Sequence, residues 1–178
     1  MTKTFTIILI PLLLLLVSAG CHTFQSKNAN NEIKNMGVNV MYEKLTPNMM
    51  VENVNNTVKY YRDVLGFEFV MGVPEEGQEI VSEPRVDQNL GFAVMKYNNI
   101  EIMFQAQKSL SEEIPEFGEM NVGGSITFYI NVNDVKQLYD NLKDKVTIVL
   151  PLATQFYGME EFYIRDYNGY ILGFAGKI

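Results

Sequence analysis

The chain has 178 residues, of which 47% are hydrophobic, and its formal net charge is −7. An acidic surface argues against binding to nucleic acid and against broad adhesion to anionic lipid, because both depend on positive charge. It is compatible with a cationic small molecule. The chain has one cysteine, Cys21, and one histidine, His22, so a disulfide within the chain is excluded.

The first twenty residues have the form of a signal peptide. Lys3 supplies a positive end, residues 7–17 are almost wholly apolar, and residues 18–20 are small. The segment is too short for a stable membrane span. Small residues directly before Cys21 resemble a bacterial lipobox, and this resemblance implies cleavage there and lipid attachment to the sulfur. An ordinary secreted protein with a single cysteine is the alternative.

Residues 21–42 begin with the cysteine that the lipobox resemblance marks for lipid attachment. The polar, Asn/Lys-rich stretch that follows is interpreted as a flexible tether. The protein is therefore expected in the bacterial cell envelope, anchored by lipid outside the cytoplasm. About 140 residues remain, 43–178, which is enough for one domain with a hydrophobic core.

The first half of this domain predicts the order β-α-β-β-β. A strand over 45–51 is followed by a helix over 55–65, with Asn53 as N-cap and Gly66 as terminator. A strand over 67–73 follows. Residues 75–88 are charged and broken by proline, which indicates a loop, and the last two strands are 90–96 and 100–105.

The second half repeats that order after a connector over 109–124. The predicted elements are a strand over 126–132, a helix that begins after Asn133 or Asp134, and strands over 146–150, 161–165 and 170–175. The last turn contains Asn168-Gly169, a pair that favours the positive φ of a tight turn.

The two halves contain a sequence repeat. One constant shift maps Val51 onto Val132 and Val54 onto Val135, and residues 100–104 correspond to 170–174. Such self-similarity indicates a duplicated unit. We therefore predict an α+β fold in which two βαβββ modules, 43–107 and 124–178, pair into a curled sheet around a cleft, with the helices outside.

Three segments resemble the vicinal-oxygen-chelate superfamily, the glyoxalase, bleomycin-resistance and dioxygenase group. Residues 45–51 and 59–67 are similar to the opening of these proteins, and residues 161–172 are similar to their closing hairpin. The resemblance covers about residues 43–176 and implies the fold. It does not fix the activity, because this fold supports many functions.

Strand alternation predicts the cleft lining. Together with an aromatic wall before the last hairpin, the candidate ligand-binding residues are Asn48, Met50, Glu101, Met103, Gln105, Thr127, Tyr129, Asn131, Phe156 and Tyr157. Metal-dependent members of the superfamily carry His, Gln or Glu at positions that correspond here to Thr46, Met103, Thr127 and Gly173. Since none of these residues is a good ligand for a divalent ion, we expect no metal and no cofactor.

Other chemical signals are weak. The pair Glu160-Glu161 could serve acid–base chemistry, but a solvated strand start is the more ordinary interpretation. Glu112, Glu113, Glu116 and Glu119 similarly indicate a solvated loop. Gly123-Gly124 lacks the Lys-Ser/Thr that follows a phosphate-binding loop and is interpreted as a linker.

The leading hypothesis is therefore a membrane-tethered, metal-free protein that binds a small molecule, resembles the bleomycin-resistance branch and has no catalytic residues. The ligand is unknown, with a cation as one option, and a homodimer is compatible with the resemblance. A metal-dependent lyase, isomerase or dioxygenase is one alternative. An envelope interaction module that keeps the fold only as a scaffold is another.

Overall fold

A computed structural model describes residues 41–77 and 79–178. The predicted signal peptide, Cys21 and the tether up to residue 40 lie outside these ranges, so the interpretations of those segments stay predictions. Residues Lys44–Ile178 form one compact unit. This unit contains every described residue of the hydrophobic core and both complete sheets, which are the features that let a domain fold on its own.

The first module contains four strands and one helix. In chain order they are β1 (Asn48–Val51), α1 (Val54–Asp63), β2 (Glu68–Pro74), β3 (Leu90–Tyr97) and β4 (Ile100–Ala106). The sheet order is β1-β4-β3-β2, with β1 parallel to β4 and the other neighbours antiparallel. The side chain of Asn53 accepts a hydrogen bond from the Asn56 backbone N–H at 2.8 Å, so the predicted N-cap is confirmed.

The connector is more ordered than the sequence indicated. It contains α2 (Gln107–Glu113) and a 3₁₀ helix over Pro115–Glu119. Glu112, Glu113, Glu116 and Glu119 are exposed, as predicted, but they lie in these helices, so the loop prediction is wrong. One buried residue, Leu110, fixes α2, and a single apolar position gives no helical period that could be recognised in the sequence.

The second module repeats the topology of the first. It consists of β5 (Thr127–Asn131), α3 (Val135–Leu142), β6 (Thr147–Thr154), β7 (Met159–Arg165) and β8 (Ile171–Lys177), in the sheet order β5-β8-β7-β6. Asp134 caps α3 by accepting a hydrogen bond from the Gln137 N–H at 2.9 Å. The predicted α+β class and the two βαβββ modules are confirmed.

β6 runs four residues beyond the predicted strand. Pro151 obscured it, because a proline inside a strand usually argues against the assignment. β6 is an edge strand and pairs with β7 through two register shifts, so it tolerates a residue without a backbone N–H. The predicted first strand, 45–51, is shorter than expected and begins at Asn48.

Each helix covers one face of its own sheet, and the two modules share one core. The ring of Tyr61 in α1 lies 4.6 Å from Phe104 in β4, and Tyr139 in α3 lies 5.2 Å from Phe162 in β7, measured between ring centroids. The predicted core faces of β4 and β8 are confirmed by the burial of Phe104 and Phe174. None of the helices within the described ranges combines the length and apolar character needed to cross a bilayer.

Candidate functional site

A buried glutamate surrounded by tyrosine hydroxyls forms the most distinctive polar cluster of the second module. Glu161 in β7 is 3% exposed. Its Oε1 accepts hydrogen bonds from the hydroxyls of Tyr129 at 2.5 Å and Tyr157 at 2.8 Å, and its Oε2 accepts one from the Tyr163 hydroxyl at 3.2 Å. We call these four residues the Glu161 cluster.

Strand alternation explains why the cluster forms on this face. Glu161 and Tyr163 point to one side of β7, while the intervening Phe162 and the following Ile164 are fully buried on the helix-covered side. Tyr129 reaches the same site from β5, because β5 and β7 both pair with β8, one on each side.

The cluster holds a negative charge in an aromatic setting. Burial raises the pKa of Glu161, but the hydrogen bonds from Tyr129, Tyr157 and Tyr163 outweigh it, so the pKa lies below its ordinary value. The hydrogen bond to Glu161 is also the main cause that raises the pKa of Tyr129 to about 12. At neutral pH the site is therefore a carboxylate with three neutral phenols. These tyrosines are hydrogen-bond donors and poor general bases.

Glu160 and Glu161 do not form the solvated strand start that the sequence predicts. Glu161 is buried in the cluster, and the mostly buried side chain of Glu160 lies 3.1 Å from the ammonium of Lys136. The sequence did contain a signal for the cluster, because Glu161 and Tyr163 are two residues apart in a strand and must share a face.

The positions that the resemblance assigns to metal ligands do not fit a divalent ion. A Cβ atom built on Gly173 would lie 2.6 Å from the ring of Tyr163, so this ring occupies the place of a ligand side chain. Asn48 and not Thr46 pairs with Met103, and Tyr129 and not Thr127 pairs with Gly173. Across 41–77 and 79–178, no group of three or more His, Cys, Asp or Glu side chains is arranged to hold a metal.

The candidate ligand residues of the first module contact groups of their own chain. The Asn48 amide donates to Gln105 Oε1 at 2.7 Å, and the Gln105 amide donates to Ser109 at 3.1 Å and to Glu113 at 3.0 Å in α2. Met50 and Gln105 are buried, and Glu101 lies 2.6 Å from the ammonium of Lys44. Met103 is partly buried. The connector helix thus covers much of this face.

The candidate residues of the second module are open to solvent. Thr127, Tyr129 and Asn131 are exposed, and Phe156 is 99% exposed with its ring centroid 4.9 Å from that of Tyr157. The sequence treated the two modules as equivalent halves of one lining. In the structure, Asn48 is exposed, but the other candidate residues of the first module are partly or fully buried. The second module presents the more accessible set, with Glu161 at its base.

A comparison with known families gives a match over residues 45–174 to the model described as the glyoxalase/bleomycin resistance protein/dioxygenase superfamily. No curated protein matches the chain.

Solved structures with the same fold include a glyoxalase/bleomycin resistance protein/dioxygenase from Nocardioides, with a TM-score of 0.60, 14% identity, and coverage of 84% of this chain and 93% of that one. TioX from Micromonospora sp. ML1 has a TM-score of 0.56 and 16% identity, covering 77% and 100%. The bleomycin-binding protein of Streptomyces verticillus, solved with copper(II)-bleomycin, has a TM-score of 0.50 and 18% identity, covering 78% and 99%. At these identities the likeness shows the fold alone.

Proposed function

We propose that this chain, which belongs to the glyoxalase/bleomycin resistance protein/dioxygenase superfamily, is a lipid-anchored, metal-free binding protein of the bacterial cell envelope. Its ligand is a small organic cation, held on the open face of the second module. The fold supports small-molecule binding elsewhere, since one solved neighbour was determined with bound copper(II)-bleomycin. That likeness alone does not show which ligand this chain binds.

The Glu161 cluster is the observation that carries the proposal. A buried carboxylate supplies a full negative charge, and Tyr129, Tyr157 and the exposed Phe156 supply aromatic surface beside it. Aromatic rings attract cations through their negative faces, and quaternary ammonium groups are recognised by several such rings together. Binding requires affinity only, which agrees with a site whose tyrosines stay protonated at neutral pH.

Titration of the unit Lys44–Ile178 with choline and with its neutral isostere 3,3-dimethylbutan-1-ol tests the ligand class. We expect chemical shift changes at Tyr129 and Tyr157 with choline, and at least tenfold weaker binding of the isostere. Glu161→Gln should remove this preference, while Glu160→Gln should keep it. A thermal-shift panel of larger organic cations extends the test. If no cation in the panel gives a saturable shift, the proposal is wrong.

The lipid anchor needs a separate test, because Cys21 lies outside the described residues. Expression of the full chain in a bacterial host and intact-mass analysis should give a chain that starts at Cys21 and carries acyl groups. Cys21→Ser should move the protein from the membrane fraction to the soluble fraction. An unmodified Cys21 in a secreted chain would favour the ordinary secreted alternative.

One observation favours an envelope interaction module as a second candidate. Met50 and Gln105 of the first module are buried, while apolar side chains of the second module are exposed, including Leu150 at 55% and Phe156 at 99%. Leu150 lies in β6 and Phe156 in the turn that follows it, and exposed apolar groups of this kind suit a protein partner, including a second copy of this chain. Native mass spectrometry of the unit distinguishes the cases, since a homodimer would appear as a doubled mass that Phe156→Ser reduces to a monomer.

A further inference from the structure

The two modules are related by sequence repeat, but their mutual contacts differ. In the first contact, α1 packs against the turn 166–170 between β7 and β8. Tyr61 donates to Asp166 at 2.8 Å, Asn168 donates to Thr57 at 3.0 Å, and Asn56 donates to Tyr167 at 3.3 Å. We call this the closed contact.

The equivalent place in the other half is a cavity of about 580 Å³ between α3 and the turn that joins β3 to β4. The shift that maps Val51 onto Val132 places Gln137, Leu138 and Asn141 at the positions of Asn56, Thr57 and Tyr60. All three line the cavity. The residues that fill the closed contact thus have counterparts that surround open space.

Turn length explains the difference. The β7–β8 turn has five residues, 166–170, and reaches α1, whereas the β3–β4 turn has two, Asn98 and Asn99. The shorter turn cannot fill the same volume. In addition, Leu142 stands at the position of Tyr61 and has no hydroxyl with which to bind a turn across the gap.

The chemistry of the lining is distinctive. Its floor is apolar and includes Leu65, Ile102, Leu138 and Phe174, and its rim carries carboxamides, Asn98, Asn99, Asn131, Asn133, Gln137 and Asn141. The only charged residue among the described lining is Asp134, and its carboxylate already accepts the Gln137 N–H as the cap of α3. Carboxamides both donate and accept hydrogen bonds without charge.

We infer that this cavity is a second binding site, which takes an uncharged molecule with an apolar ring or chain and hydrogen-bonding groups at its edge. Its volume lies within the roughly 300–1,000 Å³ of small-molecule pockets, and an apolar floor with a few polar groups is their usual lining. A charged ligand would lose its hydration without gaining a free counter-charge.

This site is separate from the Glu161 cluster. Ile102 and Phe174 on the cavity floor point to the helix-covered faces of β4 and β8, whereas Glu161 points to the opposite face of its sheet. The inference therefore does not depend on the proposed cation site, and either can fail alone.

The test uses N-phenyl-1-naphthylamine, an uncharged aromatic amine whose fluorescence rises in apolar surroundings. Titrated against the unit Lys44–Ile178, it should show saturable, one-site binding. Asn141→Tyr introduces the residue found at the corresponding position of α1, Tyr60, whose ring lies 6.3 Å from that of Tyr167 at the closed contact, and it should weaken binding at least tenfold. Asn99→Trp fills the cavity from the opposite rim and should do the same, so the result does not depend on one variant folding.

Asp140→Tyr is the matched control, because it adds the same side chain to an exposed position next to Asn141. It should bind the probe as the unchanged protein does, and so should Glu161→Gln. Absence of saturable binding, or unchanged affinity in well-folded Asn141→Tyr and Asn99→Trp, overturns the inference. Loss of binding in Glu161→Gln would place the probe on the other face and would overturn it as well.

Discussion

The hydroxyl of Tyr61 donates a hydrogen bond to Asp166 Oδ2 at 2.8 Å, and both side chains are buried. Tyr61 belongs to α1 of the first module and Asp166 to the last turn of the second, so the bond joins the two modules of a single chain. Asp166 Oδ1 also accepts the backbone N–H groups of Asn168 and Tyr170, which fixes the shape of the turn. This carboxylate therefore organises the turn and its contact with α1 together.

Tyr61→Phe should destabilise the protein by about 1–3 kcal/mol, because it removes one partner of a buried carboxylate. The measurement is the free energy of unfolding in urea. Tyr60→Phe is the matched control, since the buried hydroxyl of Tyr60 makes no hydrogen bond with any described residue. That variant should be neutral or slightly more stable. Equal losses in both variants would contradict the role given to the Tyr61 bond.

Asp166 predicts a specific pH dependence of stability. Burial raises its pKa, and the hydrogen bonds from Tyr61 and from the turn N–H groups offset only part of this. Between the ordinary aspartate pKa of about 3.9 and the raised value, the folded state binds more protons than the unfolded state. The contribution of Asp166 is therefore most favourable below that interval and is lost as the pH rises through it.

Asp166→Asn should remove this pH-dependent contribution to the stability of the protein. The unfolding free energy of the unchanged protein should fall relative to that of Asp166→Asn as the pH rises from about 3.9 toward neutrality. Urea unfolding at a series of pH values measures it. A difference that stays constant over the whole range would mean that Asp166 has the same pKa in both states.

Glu161→Gln should lower the pKa of Tyr129. That pKa is raised to about 12 chiefly by the hydrogen bond to Glu161, and removing the charge should return it toward about 10. Site-resolved NMR titration of ¹³C-labelled tyrosine separates Tyr129 from the other tyrosines. Glu160→Gln is the control, because Glu160 lies against Lys136 and should leave Tyr129 unchanged. An unaltered Tyr129 titration in Glu161→Gln would refute the cluster as described.

Gly173→Ala should destabilise the protein by about 1–3 kcal/mol through overpacking. The added Cβ would meet the Tyr163 ring at 2.6 Å. The sign of the change in unfolding free energy is informative. At an unstrained position Gly→Ala usually stabilises a protein, because it lowers the conformational entropy of the unfolded chain. Gly118→Ala is such a position, with its nearest neighbour at 3.8 Å. In a Tyr163→Ala background the cost of Gly173→Ala should shrink, and a double-mutant cycle by urea unfolding measures the coupling.

The sequence predicted the modules well because their signals are local. Alternation in β4 and β8 assigned Phe104 and Phe174 to the core, and the caps at Asn53 and Asp134 marked where both helices begin. α2 was missed because it buries only Leu110.

The candidate site was predicted only in part. Alternation placed Tyr129 in the lining, and the aromatic pair before the last hairpin added Tyr157. Glu161 was interpreted as solvated, because the sequence does not show that three hydroxyls converge on it. The chain positions of Tyr129 and Glu161 differ by about thirty residues, and only their shared neighbour β8 brings them together.

The sequence by itself determined the duplication, the order of elements within each module and the core faces of β4 and β8, because these follow from repeats and from the periods of 2 and 3.6 residues. The tertiary structure decided which face stays open and how the modules meet. Gln105 is covered by α2, while Tyr129 is exposed. The long turn at Asp166 fills its contact, while the short turn at Asn98 leaves a cavity. These outcomes depend on volumes and side chains from distant segments, which local patterns do not encode.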